Sequence, residues 1–329
     1  MKILMFGRGV IAVAYGWALE RAGHDVEFYV RPGRAAQYGP TIDLDLLDAR
    51  RRPWGRRVVQ TWPVRYRETL EPDHDVDLII VSVQHHSLPE AVSFLATRAG
   101  RATVLVFNNL WVEPADAVGP LPSGQVAWGF PGAGGGFGDD GVLRAALLPV
   151  VFFGTLGEQP SARVQAVRAV FRGAGLRIRD TTDFRGWLFV HFLQNAGLHT
   201  QSLRLGSLAE LAGRRGAVHE AILATRELLP LAQARGVDLR RHRSDLLPFT
   251  APAWLVAPAL AWAFGHFPPV HTVMTAHANL EELRAVCRDT LGEARRLGVP
   301  VPRLEAAEPW FAAVDPRPEQ PRPSREETD

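Results

Sequence analysis

The stretch "KILMFGRGVIAVAYGWALERAGHDVEFYVRPGR", residues 2–34, decides the fold. It begins as an apolar strand, breaks at Gly7 and Gly9, and continues as a helix from about residue 10 to 22. A second strand, "DVEFYV", follows and ends on arginines. With Ala12, the glycines form the spacing G-x-G-x-x-G/A between a strand and a helix, which is typical of a dinucleotide-binding turn. The alternative is a glycine turn in some other α/β protein.

Each position of this turn has a physical reason. Gly7 permits the tight turn, Gly9 lets the backbone approach a pyrophosphate, and Ala12 keeps helix and strand close. The phosphates then meet the free N–H groups and the positive dipole end of the first helical turn. The sequence therefore predicts cofactor-binding residues at Gly7, Gly9, Val10, Ile11 and Ala12.

The end of the second strand contacts the adenosine ribose in such folds. NAD-specific proteins usually have Asp or Glu there, whereas this chain has Arg31 and, after a proline and a glycine, Arg34. A guanidinium favours a 2′-phosphate, so we predict NADP as the cofactor, with Arg31 as the first clamp and Arg34 as the second. The alternative is that both are solvated arginines in an arginine-rich protein.

The 329 residues, 47% hydrophobic and 22% charged, are typical of a globular protein with two domains. Strand-like and helix-like runs alternate up to about residue 155, and the periodicity is helical from residue 160 onward. We predict an α/β fold: an N-terminal Rossmann domain with a doubly wound parallel sheet, residues 1–157, and a mainly α-helical domain, residues 158–313. A disordered tail is expected over residues 314–329. The glycine-rich residues 129–142 are predicted to form loops and an edge hairpin.

Composition excludes several classes of function. A formal net charge of only +2, from 37 basic and 35 acidic residues, argues against a nucleic-acid partner. One cysteine, Cys287, forms no internal disulfide, and the N-terminus shows no signal-peptide pattern, so we expect a cytoplasmic protein. The apolar run 248–267 contains three prolines and is predicted to be a buried or lid segment with no membrane partner. A homodimer through residues 246–268 is plausible, and no metal site is expected.

Two further stretches, together with the opening one, complete a resemblance to a known family. The first 33 residues, "DLIIVSVQHHSLPEAV" and "TVLVFNNLW" resemble the ketopantoate reductase family, which consists of NADPH-dependent reductases of a 2-oxo acid. The resemblance implies a helical domain like the C-terminal domain of 6-phosphogluconate dehydrogenase. It implies that Asn109 lies near nicotinamide and substrate. Gln84 stands where the family often has a lysine, and Leu110 replaces a glycine.

The catalytic helix of that family reads K-L-L-x-N-A-x-x-N. Here "HFLQNAGLH" fits without a gap and places His191 at the lysine, Asn195 at the first asparagine and His199 at the second. Because these residues are four apart, their side chains share one helical face. Glu282 falls at the family's glutamate, whereas the family's serine has no equivalent.

Reduction of a ketone leaves an alkoxide that needs a proton donor. No lysine is available on the catalytic helix, so we predict His191 as the general acid, with Glu282 orienting it and raising its pKa. The alternative is that His191 only packs against apolar neighbours such as Phe189 and Phe192. His199 and Asn195 either bind a substrate carboxylate or hydroxyl, or satisfy one another.

Three functions remain open. The leading one is an NADPH-dependent oxidoreductase of the ketopantoate reductase type, acting on a small 2-oxo acid or related ketone. Since the lysine, the serine and the glycine after Asn109 are all lost, we do not expect ketopantoate itself as the substrate. The second is a catalytically silent NADP-binding sensor, and the third is a dehydrogenase of the opine or hydroxyacid type that oxidises an alcohol or amine.

Overall fold

A computed structural model describes residues 1–156 and 159–312. The tail expected to be disordered, residues 314–329, lies outside the described residues, as do both sides of the predicted domain boundary at 157 and 158. In the described part the strands β1 to β12 are Lys2–Phe6, Asp25–Tyr29, Thr41–Asp48, Arg56–Pro63, Tyr66–Arg67, Leu78–Val81, Thr103–Val106, Val126–Phe130, Ala133–Phe137, Leu143–Leu147, Val150–Gly154 and Arg177–Thr181.

The α-helices of the described part number thirteen. Helices α1 to α13 are Val10–Glu20, Arg34–Tyr38, Leu88–Leu95, Pro114–Ala117, Ala162–Gly173, Phe184–Leu205, Arg215–Ala234, Arg243–Thr250, Ala253–His266, Pro268–Ala276, Leu280–Leu297, Pro302–Ala306 and Glu308–Phe311. The first five belong to the sheet-containing half of the chain, and the other eight form the helical half.

An eight-stranded sheet forms the centre of the first domain. Its order is β12-β11-β8-β7-β6-β1-β2-β5, and every neighbouring pair is parallel except β8 with β11. All four residues of β6 and of β7 are buried, as expected for strands covered by helices on both faces. The predicted mixed α/β fold with a parallel sheet and a helical C-terminal region is confirmed.

The sheet extends further along the chain than the sequence predicted. Strand β12, at 177–181, pairs with β11, and helix α5 makes the crossover between them. The main sheet therefore continues past residue 157 to β12, and the domain bounds stay a prediction.

A second sheet of four strands, in the order β4-β3-β10-β9, packs on α1. The predicted edge hairpin of the glycine-rich segment is present as β9 and β10, but the beginning of that segment lies in β8, inside the main sheet. The glycines of β9 allow α10 to approach closely, because a Cβ at Gly136 would stand 2.0 Å from the carbonyl oxygen of Ala276.

Helix α6 is the central helix of the second domain and packs against α7 and α11. It is 22 residues long, and Phe189, Phe192 and Leu193 are fully buried in the helical core. Since α6 begins only three residues after β12, it leads directly from the sheet into the helical domain.

The apolar run that includes α8 and α9 is only partly buried. Trp254 is 72% exposed, Leu255 60% and Trp262 52%, so the two tryptophans do not fill the core. Among the described residues no single helix is long and apolar enough to cross a membrane. One pair of helical segments, Leu239–Thr250 and Ala253–His266, reaches that length and apolarity only when both are counted together, and the pair is bent by 82°. The homodimer through this face and the cytoplasmic location stay predictions.

Candidate active site

The glycine turn has the geometry that phosphate binding needs. Gly7 has a φ of 99°, which favours glycine, and its N–H donates to the carbonyl of Tyr29 at 3.0 Å. Gly9 precedes α1 in extended conformation, and a Cβ built on it would meet no atom within 4 Å. Ala12 is buried against the sheet. The amides of Val10 and Ile11 thus begin the helix beside an open approach to the backbone.

Arginines gather where β2 ends. Arg31 pairs with Glu90 at 2.8 Å, and each side chain is 70% exposed. Such an exposed ion pair holds its arginine weakly, so Arg31 can turn to a competing anion. Arg34, the first residue of α2, donates to Gln37 at 2.8 Å.

A third arginine, Arg8, lies inside the glycine turn and was not among the predicted site residues. Its Nε donates to the hydroxyl of Tyr66 at 2.9 Å, and its guanidinium stacks 4.8 Å from the ring of Tyr38. Tyr66 pairs with Phe28 of β2, so Arg8 leans toward the same edge as Arg31. Its position between Gly7 and Gly9 was the available signal.

Polar groups also lie at the carboxyl ends of β6 and β7. Gln84 is exposed and precedes the short turn after β6, where its backbone carbonyl accepts a hydrogen bond from Ser87 N at 2.9 Å. Asn109 follows β7, and its buried Oδ1 has no hydrogen-bond partner among the described residues. Neighbouring Asn108 donates to the carbonyl of Val83. In open parallel sheets, ligands bind at this edge.

His191, Asn195 and His199 lie on α6 with the predicted spacing. The half-buried ring of His191 stacks on Trp187, 5.1 Å between centroids and 7° between planes. The ring of Phe130 in β8 also packs against His191, with 4.4 Å between the ring centroids. The aromatic contacts of His191 are therefore Phe130 and Trp187, whereas the predicted alternatives, Phe189 and Phe192, belong to the core.

The pKa of His191 differs from the prediction. Desolvation lowers this pKa to about 4, so the imidazole is neutral at pH 7. Glu282 was expected to orient His191 and raise its pKa, and it does neither: no hydrogen bond joins them among the described residues, and only desolvation shifts the pKa. Glu282 instead occupies the first turn of α11, where its N–H donates to Asn279 Oδ1 at 3.2 Å.

His199 forms a second buried imidazole close to the first. Desolvation, and then the nearby rings of His277 and His191, lower its pKa to about 3. His199 Nδ1 and His277 Nε2 are both buried without a hydrogen-bond partner in the described part of the chain. No hydrogen bond connects His199 with Asn195 there, so these two do not satisfy one another. His277 was missed because it sits in the loop between α10 and α11, outside any recognised motif.

The only lysine of the chain lies far from these residues. Lys2 begins β1, is half exposed and pairs with Asp75. The site residues lie beyond the opposite, carboxyl end of that strand. A lysine therefore has no place in the chemistry of this cleft.

The two domains also meet at a cavity of about 400 Å³ between the loop after β7 and α11. His85 bridges the domains there by its contact with Asp289 Oδ2 at 2.8 Å. Neither His191 nor Asn195 lines this cavity, so it is distinct from the face of α6 that carries the histidines. Within the described ranges, no three acidic, histidine or cysteine side chains cluster as metal ligands would.

Several known proteins similar to this chain are named as reductases or dehydrogenases. Residues 3–144 match the family model of ketopantoate reductase PanE/ApbA. No curated protein matches the sequence significantly.

Solved structures match nearly the whole chain. A PanE/ApbA family ketopantoate reductase from Ralstonia eutropha JMP134 is 19% identical, with 95% of this chain and 97% of that chain covered at a TM-score of 0.63. A 2-dehydropantoate 2-reductase from Geobacter metallireducens GS-15 is 17% identical, with 95% and 99% covered at 0.64. D-mandelate dehydrogenase with NADH and anilino(oxo)acetate is 16% identical, with 95% and 97% covered at 0.66.

At these identities the structures establish the fold, and together with the family match they support an NAD(P)-dependent oxidoreductase. The first domain of this chain is thus similar to the ketopantoate reductase PanE/ApbA family over residues 3–144, and the chain as a whole has the fold of solved ketopantoate reductases.

Proposed function

We propose that the protein is an NADPH-dependent oxidoreductase that interconverts a small 2-oxo acid, or a related ketone, and its alcohol. The observation that carries the proposal is one face of α6, which presents His191, Asn195 and His199 in the fold of a family that reduces a 2-oxo acid. The dinucleotide turn at Gly7 and Gly9 supplies the second half of the site.

The described residues fit a nicotinamide dinucleotide. The open space at Gly9 and the first turn of α1 would hold the diphosphate. Arg31 and Arg34, with Arg8 beside them, would hold a 2′-phosphate, which is the basis for NADPH over NADH. Asn109, with its unpaired buried oxygen, would receive the nicotinamide end. Bound NADPH supplies the hydride.

His191 would move the proton. In the ligand-free protein its pKa of about 4 leaves roughly one molecule in a thousand protonated at pH 7. Neutral His191 is a base, suited to take the hydroxyl proton when the alcohol is oxidised. For reduction it must carry a proton, and a substrate carboxylate nearby would raise its pKa by attraction. The site therefore favours 2-oxo and 2-hydroxy acids over neutral carbonyl compounds.

His199 and His277 would accommodate the substrate's polar groups. Each has a buried ring nitrogen that finds no partner among residues 1–156 and 159–312, and such groups cost free energy until a ligand satisfies them. Leu110 is 2% exposed where the family has a glycine, so the pocket differs near Asn109. This supports a substrate other than ketopantoate.

The experiment is a turnover screen of 2-oxo acids with NADPH or NADH, and of 2-hydroxy acids with NADP⁺. We expect turnover with at least one acid and a fall of roughly a hundredfold or more in kcat for His191→Ala, with NADPH affinity unchanged. His266→Ala, on the exposed end of α9, is the control and should leave kcat unchanged. Unaltered kcat in His191→Ala would remove this residue from the mechanism.

The silent sensor is distinguished by the same screen. It predicts tight NADPH binding without turnover of any acid, aldehyde or ketone. The dehydrogenases and reductases among the matching structures do not favour that alternative.

A further inference from the structure

A second pocket, of about 690 Å³, lies beside the carboxyl end of α1, between that helix, the β3–β4 hairpin and the end of α5. Six arginines and one acidic residue line it: Arg21, Arg50, Arg51, Arg52, Arg56 and Arg57, with Asp48. Along α1 this pocket begins about 12 Å from Gly9 at Trp17 and reaches about 18 Å at Arg21, at 1.5 Å per residue over eight and twelve residues. The cofactor turn and the arginine pocket are therefore different places.

Two of these arginines are already paired. Arg50 bonds Asp48 at 2.8 Å and the carbonyl of Ala174 at 2.6 Å, and Arg57 bonds Asp45 at 2.6 Å. The other four, Arg21, Arg51, Arg52 and Arg56, have no carboxylate within 4.0 Å in the described part of the chain. Four unpaired guanidinium groups in one concavity repel each other, and a bound anion would remove that repulsion.

The hairpin loop that carries three of the arginines is held in place. Ala49 is buried and donates to the carbonyl of Leu147 at 2.9 Å. Gly55 closes the loop with a φ of 77° and donates to Arg52 O at 2.9 Å. Trp54 packs edge-on against Phe267 of the helical domain at 5.4 Å. These contacts hold the loop in place, so its backbone presents Arg50, Arg51 and Arg52 beside the pocket.

Trp17 forms one wall of the pocket. This lining residue is 2% exposed, yet its Nε1 has no hydrogen-bond partner among the described residues. The guanidinium groups of Arg21 and Arg50 lie 5.3 and 5.2 Å from its ring. The indole of Trp17 therefore forms a wall of the pocket, with two of its cations close to the ring.

We propose that this pocket binds a small molecule carrying two or more phosphate groups. Guanidinium groups pair with phosphate oxygens in bidentate fashion, and four of them exceed what one phosphate needs. The volume lies in the range of small-molecule sites, roughly 300–1,000 Å³. A nucleic acid fits less well, since the whole chain has a net charge of only +2 and the arginines lie in a concavity.

The test is calorimetric titration of the full chain with sodium tripolyphosphate at low ionic strength. The triple variant Arg51→Ala, Arg52→Ala, Arg56→Ala should bind at least tenfold more weakly than wild type. The control removes equal charge from exposed arginines elsewhere: Arg204→Ala, Arg215→Ala, Arg243→Ala. It should bind as wild type does. If the triple variant unfolds at a lower temperature than wild type, the single variants Arg51→Gln and Arg52→Gln test the same prediction.

Three results would overturn the proposal. They are no binding of tripolyphosphate by wild type, equal weakening in both triple variants, and binding of a single-stranded oligonucleotide in its place. NADPH affinity, measured in parallel, should be unchanged in both triple variants. If wild type does not bind NADPH, the proposed cofactor is wrong. If wild type binds NADPH but not tripolyphosphate, only the proposal for this pocket is wrong.

Discussion

Replacement of Gly9 by alanine separates cofactor binding from folding. The backbone at Gly9, with φ −74° and ψ 172°, suits any residue, and the added methyl meets no atom within 4 Å. Alanine is a poorer residue than glycine before a helix, which costs about 0.5–1 kcal/mol of unfolding free energy. In the complex, however, the methyl would occupy the space through which the diphosphate reaches the amides of α1.

The expected loss follows from those amides. Losing one hydrogen bond to a charged phosphate costs about 1.5–3 kcal/mol, a roughly tenfold to hundredfold rise in Kd for NADPH. Calorimetric titration measures the Kd, and urea denaturation measures the stability. Gly216→Ala, at an exposed and equally open position in α7, is the matched control. If Gly9→Ala binds NADPH as tightly as wild type, the diphosphate does not lie on this turn.

Three further changes test the rest of the site. Arg31→Ala should weaken NADPH by tenfold or more and NADH only slightly, because only NADPH carries the 2′-phosphate; equal losses in titrations of both would refute the clamp. His199→Gln should make the folding stability less sensitive to acid. The pKa of His199 is about 3 in the folded protein and near 6.5 in the unfolded chain. The unfolded chain therefore binds a proton first, and the stability present above pH 6.5 is lost as the pH falls, by up to about 1.4 kcal/mol per pH unit. Urea denaturation at pH 7.5 and 5 should show a smaller loss in the variant, and an identical loss would contradict the burial argument. Gly16→Ala should lower stability by about 1 kcal/mol with NADPH affinity intact, since its Cβ would stand 2.9 Å from Phe28 Cζ in the core; unchanged thermal melting would contradict this.

The first domain was largely predictable because its signals are local. The strand, the glycines and the helix of residues 2–20 follow one another in sequence, and each has a pattern of its own. The spacing of His191, Asn195 and His199 likewise follows from helix geometry alone. That these three side chains share one face of α6 could therefore be predicted without knowing which elements pack against the helix.

What the sequence missed depends on distant partners. The glycines of β9 are required by α10, more than 130 residues later, so their pattern predicted loops and an edge hairpin but not this close contact. His277 joins the site only because its loop brings it near His199 on α6. The lowered pKa of His191 arises from Phe130 and Trp187 around its ring, and the expected partner, Glu282, lies in the first turn of another helix.

The most direct test of the account is the binding of reduced cofactors to the wild-type chain. Calorimetric titration with NADPH and with NADH, in the same buffer, reports both the presence of the dinucleotide site and its preference. We expect NADPH to bind with a Kd at least tenfold below that of NADH, through Gly9 and Arg31. No heat and no thermal shift with either nucleotide at millimolar concentration would contradict the redox function.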